Sequence, residues 1–250
     1  MSKIAVSVAI ITKNEDRNIK DALESVRDFD DIVVVDAFSS DNTAEVCREY
    51  TERVYEQEWQ GFAAQKQTAI DHAKNDWVLI LDSDERVTQE LKQEIMKKVN
   101  ENTLSGFYIP RKNFFLGKWI RHSGWWPDHT LRLFRKDFSR MEPRAVHEKV
   151  NVNGAVGYIN APFEHYTYRT ISEYIGKMDN YASLSAEELG DRGFISAFIS
   201  MLFSPLVVFM KMYLVRQGFR DGMHGLVLAV LYSFYTFLKY AKVLERKGRL

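Results

Sequence analysis

Trp77-Val78-Leu79-Ile80-Leu81-Asp82-Ser83-Asp84-Glu85 is the stretch on which the fold turns. Its first five residues have the length and composition of a buried strand, and an acidic tetrad follows without a spacer. Three carboxylates within four residues repel one another, so they stay solvated, take up protons or gather round a cation. A hard divalent ion, Mg2+ or Mn2+, held by one or two carboxylates and completed by water and a substrate phosphate, resolves that repulsion. Taken alone, the same residues also suit a polar turn leading into a helix at Thr88-Gln89-Glu90.

Upstream of this stretch, strand-like runs at residues 4–11, 32–36 and 53–55 alternate with helical patterns at residues 16–27, 42–50 and 62–74. Asn42 followed by Glu45 has the spacing of a helix N-terminus, and Phe62, Lys66 and Ala69 recur at helical intervals. Repeated strand–helix units predict an α/β fold with a predominantly parallel central sheet. Ligands of such sheets bind beyond the carboxyl ends of the strands. Polar clusters fall at those ends: Thr12-Lys13-Asn14-Glu15 after the first strand, residues 36–41 after the second, and the acidic tetrad after the fourth. No Gly-Xaa-Gly-Xaa-Xaa-Gly or Gly-Lys-Ser/Thr loop follows any strand, which removes the main support for dinucleotide and phosphate-loop sites.

At 250 residues, 46% hydrophobic and 27% charged, the chain suits one sizeable core with an appendage. A single cysteine, Cys47, excludes an intrachain disulfide and fits a reducing compartment with an inert thiol. Residues 4–11 end in Thr12-Lys13-Asn14-Glu15 without a small-residue cleavage site, so they read as a first strand, not a secretion signal, and a cytoplasmic location is expected. Net charge is zero, but residues 192–250 hold nine Lys or Arg against two Asp or Glu. A basic and greasy tail suits anionic lipid better than nucleic acid, which is not expected as a partner.

Three blocks together resemble the family 2 glycosyltransferases, whose nucleotide-diphospho-sugar transferase fold is called GT-A. They are residues 10–15, Val33-Val34-Val35-Asp36 with Ser39-Ser40-Asp41-Asn42-Thr43, and residues 79–85. Trp125-Trp126-Pro127-Asp128, residues 131–135 and Val146-His147-Glu148 extend the likeness to the branch resembling lipopolysaccharide-core β-glucosyltransferases. The resemblance implies a nucleotide-sugar donor, UDP-glucose in the first instance. It implies that Thr12, Asn14 and Glu15 line the nucleotide pocket, that Asp36 and Ser39 contact base or ribose, and that Lys66 approaches the diphosphate. Asp84 would be the direct metal ligand, with Asp82 on the ribose or the metal and Ser83 beside them.

An inverting transfer needs a base that removes the attacking hydroxyl's proton. Glu148 is the first candidate by resemblance and Asp128 the second; by themselves they also suit a charge-paired surface glutamate and a turn residue after Pro127. His147 suits an acceptor contact, a metal ligand or a buried ring. Between Gly106 and Arg135, eight aromatic residues are interleaved with Arg, Lys and His. Aromatic faces stack on sugars while Arg pairs with phosphate or carboxylate, so Trp125, Trp126, Arg132 and His147 are assigned to the acceptor. An aromatic core with a basic rim has the same composition.

Residues 193–210 and 222–238 are uncharged and approach spanning length, yet Pro205 interrupts the first and basic residues flank both ends. Two helices lying in the interface, or a shallow re-entrant pair, fit this pattern; burial against the rest of the chain is the other reading. The expected organisation is a catalytic domain over residues 1–170 and a helical, membrane-associated region over 171–250. The expected reaction is metal-assisted transfer of a sugar to a lipopolysaccharide-core or other lipid-linked acceptor at the cytoplasmic face of the inner membrane. Transfer to a polyprenyl phosphate, or nucleotide-sugar binding without catalysis, are the alternatives.

Overall fold

The apolar run at residues 77–81 is a central strand. In the computed structural model, which describes residues 3–142, 149–190 and 193–248, β1 (Ile4–Thr12) lies between β2 (Phe29–Asp36) and β4 (Trp77–Asp82). A short β3 (Val54–Glu56) flanks β2, and all these neighbours are parallel. Helices α1 (Asp16–Ser25), α2 (Thr43–Arg48) and α3 (Phe62–Asp71) provide the crossovers that parallel pairing requires. Val6, Val8 and Ile10 enter one apolar layer while Ala9 and Ile11 enter the other. Both faces of the sheet are covered, which is why its strands read as unbroken apolar runs.

Beyond β4 the sheet becomes mixed, with antiparallel and parallel neighbours. Its order continues through β8 (Asp128–Arg135), antiparallel to β4, then β6 (Gly106–Phe115), β12 (Phe163–Tyr168) and β5 (Glu85–Val87). Two further strands pair with β6, namely β7 (Lys118–Trp119) and β11 (Val156–Tyr158), while β9 (Ser139–Met141) and β10 (Val150–Val152) form a separate ribbon. After α4 (Gln89–Glu101), the described strands are joined by turns and loops in place of crossover helices, so antiparallel neighbours become possible. The predominantly parallel sheet expected from the sequence is found in its first four strands; the other half is mixed, with β11 parallel to β6 and β8 and β7 antiparallel to β4 and β6.

Two caps differ in an instructive way. Thr88 opens α4 as expected, accepting from Leu91 N at 3.1 Å. Asn42 makes no side-chain cap on α2; Asp41 takes that task, accepting from Thr43 N at 3.0 Å. Burial alone would raise the Asp41 carboxyl, but the bonds from Thr43 hold it below its ordinary value. Cys47 is buried inside α2, and burial, then the charge of Asp36, pushes its thiol up to about 12, consistent with an inert role.

Two compact units result, Met1–Arg111 with His129–His165 and Lys112–Asp128 with Tyr166–Leu250. The helical unit comprises residues 112–128 and 166–250, where the sequence suggested 171–250. The reason is packing: Phe115 and Ile120 are fully buried among Tyr174, Met178, Met212 and Leu228. This unit contains α5 (Ile171–Glu188), α6 (Phe194–Met210), a π-helical turn Lys211–Val215, a 3-10 turn Gly218–Asp221 and α7 (Met223–Glu245). A reciprocal capping box between Thr170 and Glu173 starts α5, which the sequence reading did not single out. Lys242 on α7 pairs with Asp179 on α5 at 2.6 Å.

Candidate active site

The loops after β1 and β2 are stitched together by side chains. Asn14, at φ 55°, donates its N–H to Ser39 Oγ at 2.8 Å, and its side-chain Oδ1 accepts from Ser40 N at 2.8 Å. Ser39 in turn donates to Asp36 Oδ1 at 2.6 Å and from its backbone to Oδ2 at 2.7 Å. Glu15 N donates to Thr43 Oγ1 at 2.8 Å, which fastens the start of α1 to that of α2. Asp36 is buried and turned towards Ser39, so within this cluster Ser39 is the more exposed partner. Thr12 Oγ1 is buried and has no hydrogen-bond partner among the described residues. An orphaned acceptor–donor at a strand's carboxyl end is a place where a ligand group fits.

Phe38 stands between these bonded residues in the left-handed region, φ 52°, with 56% of its surface exposed. That conformation costs a bulky side chain about 1–2 kcal/mol, and burial does not repay it. Backbone strain of this kind points to a functional position.

At the tetrad the carboxylates separate by role. Asp82 Oδ1 is 3.0 Å from Lys66 Nζ on α3, while Oδ2 accepts from Arg132 on β8. Burial alone would raise the Asp82 carboxyl, but the charges of Arg132 and Lys66, with their hydrogen bonds, hold it well below the ordinary carboxylate range. Glu85 is completely buried, accepts from Asp82 N at 3.0 Å and from Arg132 at 3.0 Å, and has Arg111 at 3.8 Å. Arg86, also buried, donates to the carbonyls of Ser83 and Glu85 at 3.0 and 2.9 Å and ties the turn to Asn18. Asp84 faces His165, whose Nε2 lies 3.4 Å from Oδ1; β5–β12 pairing brings them close by setting Glu85 opposite His165.

The profile of glycosyl transferase family 2 matches residues 7–167, which include every loop just described. The chain belongs to glycosyl transferase family 2. It is 28% identical to the lipopolysaccharide core biosynthesis glycosyltransferase LpsC of Rhizobium meliloti (strain 1021), over 98% of this chain and 93% of that protein. An uncharacterized glycosyltransferase, RT0209 of Rickettsia typhi (strain ATCC VR-144 / Wilmington), is also 28% identical, over 96% and 87% of the two chains. The mannosyltransferase PcManGT of Pyrobaculum calidifontis, solved with GDP-Man and Mn2+, superposes with a TM-score of 0.56 at 15% identity, over 98% of this chain and 88% of that one. That likeness establishes the GT-A fold.

Within this family 2 scaffold the sequence-marked residues divide. Thr12, Asn14, Glu15, Asp36, Ser39, Lys66, Asp82, Ser83 and Asp84 belong to one compact unit; the bonds above join Asn14, Ser39 and Asp36 at one strand end and Lys66 with Asp82 at another. Arg132, assigned to the acceptor for its affinity for anions, is 7% exposed and lies on Asp82 and Glu85. Asp128, Trp125 and Trp126 belong to the helical unit, where Asn113 Nδ2 donates to Asp128 Oδ2 at 3.2 Å. His147 and Glu148 lie outside the described residues. Glu85, Arg111, His165 and Phe38 were not marked as site residues. Glu85 lay in the acidic tetrad but suited helix initiation equally well, Arg111 lay in the aromatic and basic stretch and Phe38 in the loop after the second strand, while nothing in the sequence signalled His165.

A divalent cation can be tested against these groups. Among the described residues no three His, Cys, Asp or Glu side chains form a ready metal cage. Mg2+ and Mn2+ in phosphate sites need no such cage, because one or two protein ligands suffice when phosphate and water complete the shell. The Asp84–His165 pair meets that requirement, whereas Asp82 is already bound to two cationic side chains.

Proposed function

We propose that the chain transfers a sugar, with inversion, from a nucleoside diphosphate donor to a lipopolysaccharide-core or other lipid-linked acceptor at the cytoplasmic face of the membrane. UDP-glucose is the first donor to test. The observation that carries the reading is the acidic turn after β4, in which Lys66, Arg132 and Glu85 fix Asp82 while Asp84 faces His165. Family membership and the nearly full-length likeness to LpsC support the acceptor class.

In this reaction the acceptor hydroxyl attacks the anomeric carbon, the bond from that carbon to the diphosphate oxygen breaks, and the hydroxyl's proton passes to a carboxylate base. Glu148 is the first choice for that base and Asp128 the second. Thr12, Asn14, Glu15, Asp36 and Ser39 hold the nucleoside, with Ser39 presented by Asp36. Lys66 sits where it can share its charge between Asp82 and a diphosphate. Asp84 and His165 would hold Mg2+ or Mn2+, which when bound supplies positive charge to the departing diphosphate.

Segments Phe194–Val215 and Met223–Arg246 are long and apolar enough to cross a bilayer. Their exposed apolar residues and basic flanks support attachment in the interface. The test is release of nucleoside diphosphate from a panel of nucleotide sugars with Mg2+ or Mn2+, then transfer to lipid-linked acceptors with the best donor. A chain that binds donor but releases no diphosphate under any condition would be a binding protein. Full turnover in Glu148→Gln would remove Glu148 as the base.

A further inference from the structure

The aromatic and basic segment at residues 118–126 belongs to the helical unit, and the connector between α6 and α7 holds it by its backbone. Asp221, 3% exposed, closes the 3-10 turn of that connector. Its carboxylate accepts from Arg121 N at 3.3 Å and from His122 N at 2.9 Å, and lies 3.1 Å from His122 Nδ1. Its carbonyl accepts from Lys118 Nζ at 2.8 Å, and Arg216 O accepts from Ser123 N at 2.9 Å. One buried carboxylate therefore fixes two successive peptide groups and a side chain of the loop.

At Gly218 the approach is close enough to exclude larger residues: a Cβ there would come within 2.5 Å of Ser123 Oγ and 2.8 Å of the Met212 carbonyl. Gly124, at φ 81°, lies against the Arg216 side chain. The hairpin that leads into the segment turns at Leu116 and Gly117, both at positive φ, which suits a two-residue connection between β6 and β7. On this frame Trp119 meets Trp126 edge to face at 5.3 Å, with Arg121 at 4.2 Å and Lys112 at 5.1 Å over its ring. Such a cluster offers a sugar ring an aromatic wall and an anionic substituent two cations.

The helices on either side of the connector are apolar and open. Leu206, Val207, Leu214, Val215, Phe219 and Met223 are all exposed, more apolar surface than a soluble face ordinarily shows. Lys211, Arg216 and Arg220 lie among them, the charge pattern of a surface that meets anionic headgroups.

We infer that Asp221 fastens residues 118–126 to a connector that rests on the lipid surface, so that this loop reads an amphiphilic acceptor anchored in the same leaflet. The inference rests on the interfacial attachment proposed above and adds the positioning residue and the acceptor class. Asp221 acts through the loop and does not itself touch the acceptor.

The experiment uses the full chain with Trp59 and Trp77 replaced by Phe, so that fluorescence reports Trp119, Trp125 and Trp126. Vesicles contain phosphatidylglycerol and brominated phosphatidylcholine, whose bromines quench nearby indoles. The parent chain is expected to co-sediment with the vesicles and to be quenched. Asp221→Ala should co-sediment equally and lose the greater part of the quench, and Asp221→Asn, which keeps one accepting oxygen, should lose less. His122→Ala removes only the imidazole contact and should shift the quench in the same direction by a smaller amount, which covers the case of a misfolded Asp221 variant. A parent that co-sediments without being quenched, or variants quenched like the parent, overturns the inference and leaves the membrane reading intact. A parent that does not co-sediment overturns both.

Discussion

Arg132 on β8 donates to Glu85 Oε1 at 3.0 Å, and Glu85 is completely buried. A buried carboxylate keeps its charge only while a cation and hydrogen bonds compensate it. Arg132→Met leaves Glu85 with Arg111 at 3.8 Å and the Asp82 N–H as its remaining described partners here. The expected loss is about 3–5 kcal/mol of unfolding free energy, read by urea denaturation. Adding Glu85→Gln should recover part of it, because the uncompensated charge is then gone. Additive losses in the double variant would show that the two side chains do not depend on each other.

Phe38 tests the nucleotide end of the site. Replacing it with Gly removes the left-handed strain, about 1 kcal/mol, but gives back a similar amount in unfolded-chain entropy, so the melting temperature should hardly change. Stacking of a base on an aromatic ring contributes about 1–3 kcal/mol, and its loss should raise the donor KM roughly tenfold at unchanged kcat. Phe38→Tyr should retain the KM of the parent. An unchanged donor KM in Phe38→Gly would mean that the exposed ring does not meet the base.

The parallel half of the sheet was legible because strands buried on both faces read as nearly continuous apolar runs. Residues 77–81 and 4–11 read as strands from composition alone, and the polar loops at their carboxyl ends followed from the topology. Pairings across the antiparallel half carried no such signal. Nothing near Phe163 or Tyr166 in the sequence says that His165 comes opposite Glu85, since that register depends on β5 and β12 meeting across 80 residues of chain. The partners of Arg132 were hidden for a related reason: its sequence shows an anion-binding side chain, but not that Asp82 and Glu85 lie beside it. The Asp41 cap shows the same limit at short range, where one residue's difference in backbone conformation decides which side chain reaches Thr43.

Asp84 and His165 carry the cation prediction. Asp84→Asn and His165→Ala should each weaken Mn2+ binding, followed by electron paramagnetic resonance in the presence of UDP, and the pair together should weaken it further. The charge lost in Asp84→Asn should have the larger effect, since divalent ions of this class favour oxygen donors. Nucleotide affinity measured with a chelator present should be the same in parent and variants. If Mn2+ binding survives both changes, the ion is held elsewhere.

Asp82 makes the pH behaviour predictable in sign. Its folded-state value lies below that of an unfolded aspartate, about 3.9, because Arg132 and Lys66 outweigh the cost of burial. A group lowered on folding contributes stability that is fully present above the unfolded value and is lost as pH falls through the folded one. Asp82→Asn removes that contribution at every pH. Unfolding free energies of parent and variant should therefore differ by a constant amount from pH 7 down to about 5. Below about pH 4 the parent loses its advantage and the two curves draw together. Lys66→Met should narrow the same gap at neutral pH by removing one of the two cations that create it. A parent–variant difference that stays fixed down to pH 3 would show that Asp82 is not held ionised by its neighbours, and the division of labour between Asp82 and Asp84 would lose its electrostatic basis.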